Sequence, residues 1–277
     1  MEFNKLFIDK NYDKPINIII KKNLVIVKSN YDWNYDEGII DNNLLIIKFK
    51  KLGECSITKE GFIFNNNIKW TIDKRKNILF IGANDMNEIW KYKAIINSYN
   101  NGLFIEAIPD VYLKLKENLK KASEMYNGNY IGINQLVTSE KDKEYTFNIF
   151  DNNGASSSIY EPTNLALKEW KVKISKKIKL VSNTINDILS KYNWNDIKYD
   201  LFIDVQGAEL EVLKGFTELN FDNINLINIE ASKKEYYKNA VLYPELNKFI
   251  LSKKFKLFTP EKNIKNHGDI LYKKINL

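Results

Sequence analysis

"DLFIDVQGAELEVLKG", Asp200 to Gly215, is the stretch on which the fold turns. Leu201, Phe202 and Ile203 form a short apolar run that ends on Asp204, so the segment reads as a strand with an acid at its carboxyl end. Val205-Gln206-Gly207 supply a turn, and a helix begins near Ala208 and closes at Gly215. Glu209 and Glu211 fall in the first turn of that helix, where acids complement its dipole. Asp204 has no such explanation: a carboxylate at the end of a buried strand costs stability unless it is paired or functional. The same strand, turn and helix recur upstream in "NILFIGANDMNEIW", Asn77 to Trp90, which turns at Gly82-Ala83-Asn84. Downstream, "INLINIEA" is a further strand and puts Glu230 at the equivalent edge.

The pattern extends in both directions. Met86–Tyr99 reads as a helix and "GLFIEA" as a strand ending at Glu106. "PDVYLKLKENLKKASEMY" is a helix with Pro109 in its first turn and Val111, Leu115, Leu119 and Ala122 along one face. "NYIGINQLV" and "EYTFNIF" are strands, residues 151–177 are polar and irregular, and "KIKLVS" leads to Thr184 as a helix N-cap. A helix follows over about residues 240–253, and "FKLFT" and "DILYKK" close the chain as two strands. Repeated βα units imply an α/β fold, a mainly parallel sheet with helices on both faces. The last two strands have no helix between them, so they should pair antiparallel, with the final one between its neighbours. Residues 1–73 differ. Their short β-type runs, from "INIII" to "IKWTI", lie between turn-rich stretches and predict a small β-rich domain of about six strands. "DKRKN", Asp73 to Asn77, is a polar linker, which sets the domains at 1–73 and 74–277.

In an open α/β sheet, ligands lie at the carboxyl ends of the strands near the switch in strand order. Gly82 lets the backbone approach a ligand there, and Glu106 follows 24 residues later, near the offset at which an acid meets ribose hydroxyls. The plainer alternative is an ordinary tight turn and a solvated strand-end acid. A pyrophosphate packs against the helix N-terminus and needs several glycines, whereas Met86 and Asn87 fill that space here. A nucleoside with a short amino-acid tail makes no such demand, and Asn84 and Asp85 are placed to meet its polar end.

"FIGAND", "GLFIEAIPDVYLKLKENL", "GASSSI", "FIDVQGAELEVLKGF" and "INLINIEAS" occur in an order that resembles the FkbM family of S-adenosylmethionine-dependent methyltransferases. The resemblance covers about Asn77 to Thr259. It implies a class I methyltransferase (Rossmann-like) sheet with an antiparallel last strand, which the two closing strands suit, preceded here by the β-rich domain. It implies S-adenosylmethionine as cofactor and a hydroxyl of a sugar or glycan as acceptor. Gly82, Ala83 and Asn84 would line the methionine part of the cofactor, Glu106 the ribose, and Leu136, Val137 and Thr138 the adenine. Asp204 and Gln206 would face the transfer site, with Glu209 beside them, and the serine run Ser156, Ser157 and Ser158 would touch cofactor or acceptor. Two departures stand out. Met86 replaces the family's usual glycine, and Phe80 or Ile81 replaces its first-strand acid. Met86 either narrows the cofactor site or marks a fold that has lost turnover and binds a glycan without methylating it.

A hydroxyl acceptor needs a group to orient it and take its proton, and Asp204 is the candidate base, with Glu230 as the alternative. The only histidine, His267, sits near a turn and is expected to face solvent. No tight cluster calls for a metal, and the single Cys55 excludes an internal disulfide. Trp33 and Trp70 are candidate sugar-stacking aromatics, or ordinary ones. Net charge is +7 and pI near 9.0, with small clusters at Lys171–Lys179 and Lys253–Lys256. That balance suggests a nucleic-acid methyltransferase as a third reading, but no dense basic block or Pro-rich catalytic loop supports one, so no nucleic-acid partner is expected. The first residues lack a signal-peptide core and no apolar run approaches 18 residues, so a soluble, intracellular protein is expected.

Overall fold

A computed structural model describes the chain apart from residues 1, 10–13, 22–23, 30–34, 42–45, 51–52, 59–60, 65–68, 73–75, 88–98, 127 and 276–277. The chain forms two compact units, Met1–Arg75 and Lys76–Leu277. In the first, eight strands make a closed antiparallel barrel, β1 (Glu2–Asp9) to β8 (Lys69–Ile72), in sequence order. The two strands missing from the sequence reading are β1 and β4 (Tyr35–Asp41), whose polar residues interrupt the apolar run. Cys55 is fully buried there, and burial pushes its thiol up to about 12, so it behaves as a small hydrophobe. Trp33 and the side chain of Trp70 lie outside the described residues.

The second unit is built on a seven-stranded sheet. Its strands are β9 (Lys76–Ile81), β10 (Tyr99–Glu106), β11 (Asn129–Asn134), β15 (Tyr199–Ile203), β16 (Ile224–Ser232), β17 (Phe255–Leu257) and β18 (His267–Lys274). They run in the order β11-β10-β9-β15-β16-β18-β17, and β18 alone is antiparallel to its neighbours. The final strand therefore lies between the two before it, as its lack of a preceding helix implies. Strand residues alternate between two faces. Ile78, Phe80 and Phe104 pack with Leu115, Leu119 and Ala122 of α1 (Pro109–Tyr126) on one face. Leu79, Ile81, Leu103, Ile105, Leu201 and Ile203 pack on the other face. There they meet α3 (Ile185–Lys191), α4 (Glu209–Lys214), α5 (Glu218–Asp222) and α6 (Tyr243–Ser252). The helix expected over Met86–Tyr99 lies almost wholly outside the described residues.

The region 151–177 is less irregular than its composition implies. Thr163 caps α2 (Asn164–Trp170), its hydroxyl accepting from the Ala166 amide. β14 (Ile174–Asn183) then pairs antiparallel with β13 (Glu144–Phe150) and parallel with the short β12 (Leu136–Val137). Thr184 caps α3 as expected, accepting from the Asp187 amide. No helix among the described residues is long and apolar enough to cross a membrane.

Candidate functional site

Strand order reverses at β9, whose neighbours β10 and β15 lie on either side. Three loops meet at the carboxyl ends of these strands. The turn after β9 is held by the Gly82 and Ala83 amides, which both donate to the Ile105 carbonyl at 2.9 and 3.0 Å. Gly82 has φ +81°, and a Cβ there would stand 1.8 Å from the carbonyl oxygen of Asp204. The glycine is thus required first by the neighbouring strand end, which presses against it, rather than by a ligand. Asn84 and Met86 also take left-handed backbone conformations, φ +50° and +49°. At residue 86 a glycine would adopt that shape without cost, whereas methionine carries about 1–2 kcal/mol of strain. The Met86 side chain is 2% exposed and belongs to the cluster of Phe80, Ala83, Tyr99 and Leu115, while also lining the cavity described below.

Glu106 is the hub of the turn. Its Oε2 accepts from the Asn84 amide at 2.9 Å and its Oε1 from the Ile108 amide at 2.8 Å. The Ala107 amide also lies close enough to lower the proton affinity of Glu106. Burial pushes the carboxyl up to about 7 against the pull of those amides. Asp85 ties the turn to its surroundings: its carboxylate accepts from the Asn87 amide and from Asn153 Nδ2, each at 2.9 Å. Its carbonyl accepts from Asn118 Nδ2 of α1 at 2.7 Å.

A second group of acids stands at the ends of β15 and β16. Gln206, in a left-handed conformation with φ +56°, places its amide between two carboxylates. Nε2 donates to Asp204 Oδ1 and to Glu230 Oε2, both at 2.6 Å. Tyr237 Oη lies 2.9 Å from Gln206 Oε1 and donates to it or to the Ser156 carbonyl at 2.7 Å. Those partners fix which way the amide points. Glu209 does not reach this group; its Oε1 accepts from the Val205 and Gly207 amides and braces the turn, and burial pushes it up to about 7. Asp204 is held well above the usual carboxylate range, by burial first and by the Glu230 charge second. His267 is not the solvent-facing residue its position suggests. Nε2 lies 3.1 Å from Glu230 Oε1, Nδ1 lies 2.7 Å from Ser232 Oγ, and the ring contacts Trp170 and Tyr236.

These loops enclose a cavity of about 320 Å³, at the lower end of the usual range for small-molecule sites. Gly82, Ala83, Asn84, Glu106, Leu136, Val137, Ser157, Asp204 and Gln206 line it. Thr138, Ser158, Glu209 and Glu230 do not. Thr138 and Ser158 are fully buried, their hydroxyls bonded to the Glu140 backbone and the Tyr160 amide. Glu230 meets the cavity only through Gln206. Ser157 accepts from the Phe150 amide at 3.1 Å. Gln135, Phe147 and Asn153 also line the wall, and the sequence reading did not single them out. No local pattern marks them; they arrive there through the packing of the inserted sheet. Among the described residues, Asp85, Glu106 and Asp204 are the acids of the wall and no lysine or arginine lines it. By charge alone, the wall formed by these described residues favours a cationic or neutral ligand over a pyrophosphate. It fits a nucleoside that carries a positive charge, with Glu106 set to accept from hydroxyls. Among the described residues no three His, Cys, Asp or Glu side chains are grouped to hold a metal ion.

The family model described as "Methyltransferase FkbM domain" matches residues 81–257. Among solved structures, the FkbM methyltransferase of Methylobacillus flagellatus KT is similar at 14% identity and a TM-score of 0.44. That alignment covers 73% of this chain, which spans 44% of the length of the other. Aeropyrum pernix fibrillarin, solved with natively bound S-adenosyl-L-methionine, is similar at 9% identity and a TM-score of 0.34, over 90% of this chain and 94% of that one. No curated protein matches the chain.

Proposed function

The chain belongs to the FkbM methyltransferase domain family, and from that premise we propose that it is an S-adenosylmethionine-dependent O-methyltransferase acting on a hydroxyl of a sugar or glycan. The observation that supports the cofactor assignment is the cavity wall: three acids and, among the described residues, no basic residue around a glycine turn with a buried ribose-type acid. A pyrophosphate cofactor would meet repulsion there, while a sulfonium meets attraction. The sugar class of the acceptor rests on the family resemblance.

When bound, S-adenosylmethionine supplies a methyl group on a sulfonium, and its departure as a neutral thioether needs no acid. Glu106, which lines the cavity, would accept from the ribose hydroxyls. Gly82, Ala83 and Asn84 would lie along the methionine portion, and Leu136 and Val137 against the base. Asp204, on the cavity wall, would orient the acceptor hydroxyl and take its proton as the new C–O bond forms. Its elevated affinity for protons suits a general base working near neutral pH. Gln206 holds that carboxyl in place through its 2.6 Å bond.

The test is transfer of a labelled methyl group from S-adenosylmethionine to a panel of monosaccharides and glycans, with Asp204→Ala as control. Transfer to a sugar hydroxyl that falls by about 10²-fold or more in the variant is expected. Full turnover in Asp204→Ala would remove it as the base. The Met86 departure favours a second reading, a family member that binds a glycan without turnover. Calorimetry separates the two, since the acid-lined cavity should bind S-adenosylmethionine if the first holds.

A further inference from the structure

His267 lies outside the cavity, yet it closes a line of side chains that begins inside it. Asp204 on the wall meets the Gln206 amide at 2.6 Å, the same amide meets Glu230 at 2.6 Å, and Glu230 meets His267 Nε2 at 3.1 Å. Both donors of the Gln206 amide are spent on carboxylates, so two acids are held one amide apart in a largely buried setting. Two like charges so placed cannot both ionise readily unless a cation compensates one of them.

The surroundings leave one group for that task. Glu209 on α4 and Asp269 on β18 are further acids near the pair. Lys234 pairs with Glu169 at 3.7 Å, and Glu169 also accepts from Tyr236. Tyr237 contacts Gln206, and Trp170 and Tyr236 pack on the imidazole, all without charge. Among the described residues, His267 is the cationic partner within salt-bridge distance of Glu230. Ser232 makes the imidazole able to change charge in place. Its hydroxyl accepts from Nδ1–H when the ring is protonated and donates to bare Nδ1 when it is not, so the 2.7 Å contact suits both states.

We propose that His267 is a positioning residue for the transfer site: as an imidazolium it neutralises Glu230 and thereby lets Asp204, across the Gln206 amide, ionise and receive the acceptor's proton. The influence is electrostatic, because an amide N–H that donates to both acids holds them without conducting a proton between them. The role rests on the methyl-transfer reading, but the coupling can be read without any donor or acceptor.

The experiment follows the carboxyl resonances of the full chain labelled with carboxyl-¹³C aspartate, titrated by NMR. The Asp204 signal is the one absent from Asp204→Asn. In His267→Gln, which keeps a hydrogen bond to Glu230 but no charge, the Asp204 midpoint should rise by about one pH unit or more. In Glu230→Gln it should fall, because the repelling charge is gone. Either variant decides the matter alone if the other does not fold. The acid limb of kcat/KM against pH should move with the Asp204 midpoint, up in His267→Gln, which loss of packing alone would not produce. An Asp204 midpoint unchanged in a folded His267→Gln or Glu230→Gln chain would overturn the proposal. Shifted midpoints in a chain that transfers no methyl would support the coupling and instead remove the methyl-transfer reading.

Discussion

Glu106 gives the sharpest test of the cofactor site. Burial pushes its carboxyl from an ordinary 4.5 to about 7. The sign follows directly: the folded chain favours the protonated form, so this group's stabilising effect is complete below about pH 4.5 and is lost as pH rises through about 7. A ligand whose hydroxyls donate to the carboxylate favours the ionised form instead. Below about pH 7 its binding must therefore expel a proton. One unit below its pKa a carboxyl is ionised in about one molecule in eleven, and one unit above in about ten of eleven. Raising the pH from about 6 to about 8 should then tighten S-adenosylmethionine binding about tenfold, or about 1.4 kcal/mol. Isothermal calorimetry in two buffers of different ionisation enthalpy reads both the affinity and the proton released. Glu106→Gln is the control, because it cannot titrate while Asp204 and Glu209 still can. The variant also turns an amide donor toward the Asn84 or Ile108 N–H, a mismatch of about 1–3 kcal/mol, so it should bind weakly at every pH. A flat profile in the parent chain, or the same tenfold slope in Glu106→Gln, would refute the reasoning.

Three other outcomes are expected. Gly82→Ala should destabilise the second unit by about 3–5 kcal/mol, combining left-handed strain with displacement of the Asp204 carbonyl that lies 1.8 Å from the new Cβ; differential scanning calorimetry measures it, and a loss under about 1 kcal/mol would contradict the geometry. Met86→Gly should relieve about 1 kcal/mol of backbone strain but lose more through the emptied buried site, for a net loss of about 1–4 kcal/mol in the same measurement; donor affinity should fall no more than about threefold, and a larger fall would make the Met86 side chain a binding element. Tyr237→Phe removes a hydroxyl that fixes the Gln206 amide, so kcat should drop about tenfold with KM for the donor little changed; an unchanged kcat would mean that this hydroxyl does not hold the Gln206 amide in its working position.

Much of the sheet is legible because its physics is local. Ile78 to Ile81 and Leu201 to Ile203 are apolar runs bounded by turn residues, and the missing helix before the last strand dictates an antiparallel return. Glu106, Asp204 and Glu230 stand out because each is an acid at or near the carboxyl end of a strand-forming run, where burial makes a charge costly. The rest depends on distances the chain order hides. His267 reaches Glu230 only because β18 pairs with β16 in the register that sets Ser232 opposite His267 and Glu230 opposite Asp269. A turn-flanked histidine gives no sign of that. Thr138 and Ser158 read as lining residues from their motif positions, yet their hydroxyls are turned to local backbone groups. α2 hides in a lysine- and asparagine-rich segment of only seven helical residues, too short to show a periodic face.

The acid-lined wall, with no lysine or arginine among its described residues, has a consequence for what would follow the proposed reaction. A ligand that arrives as a sulfonium would meet these acids as a cation and favour their ionised forms, against the burial that raises the proton affinity of Glu106 and Asp204. Once the methyl has gone, the remaining thioether no longer carries that charge, and the same acids face one another across a neutral occupant. On the proposed reaction, the wall that favours the charged donor would loosen its hold on the neutral product, so release would follow from the same acids that favour binding.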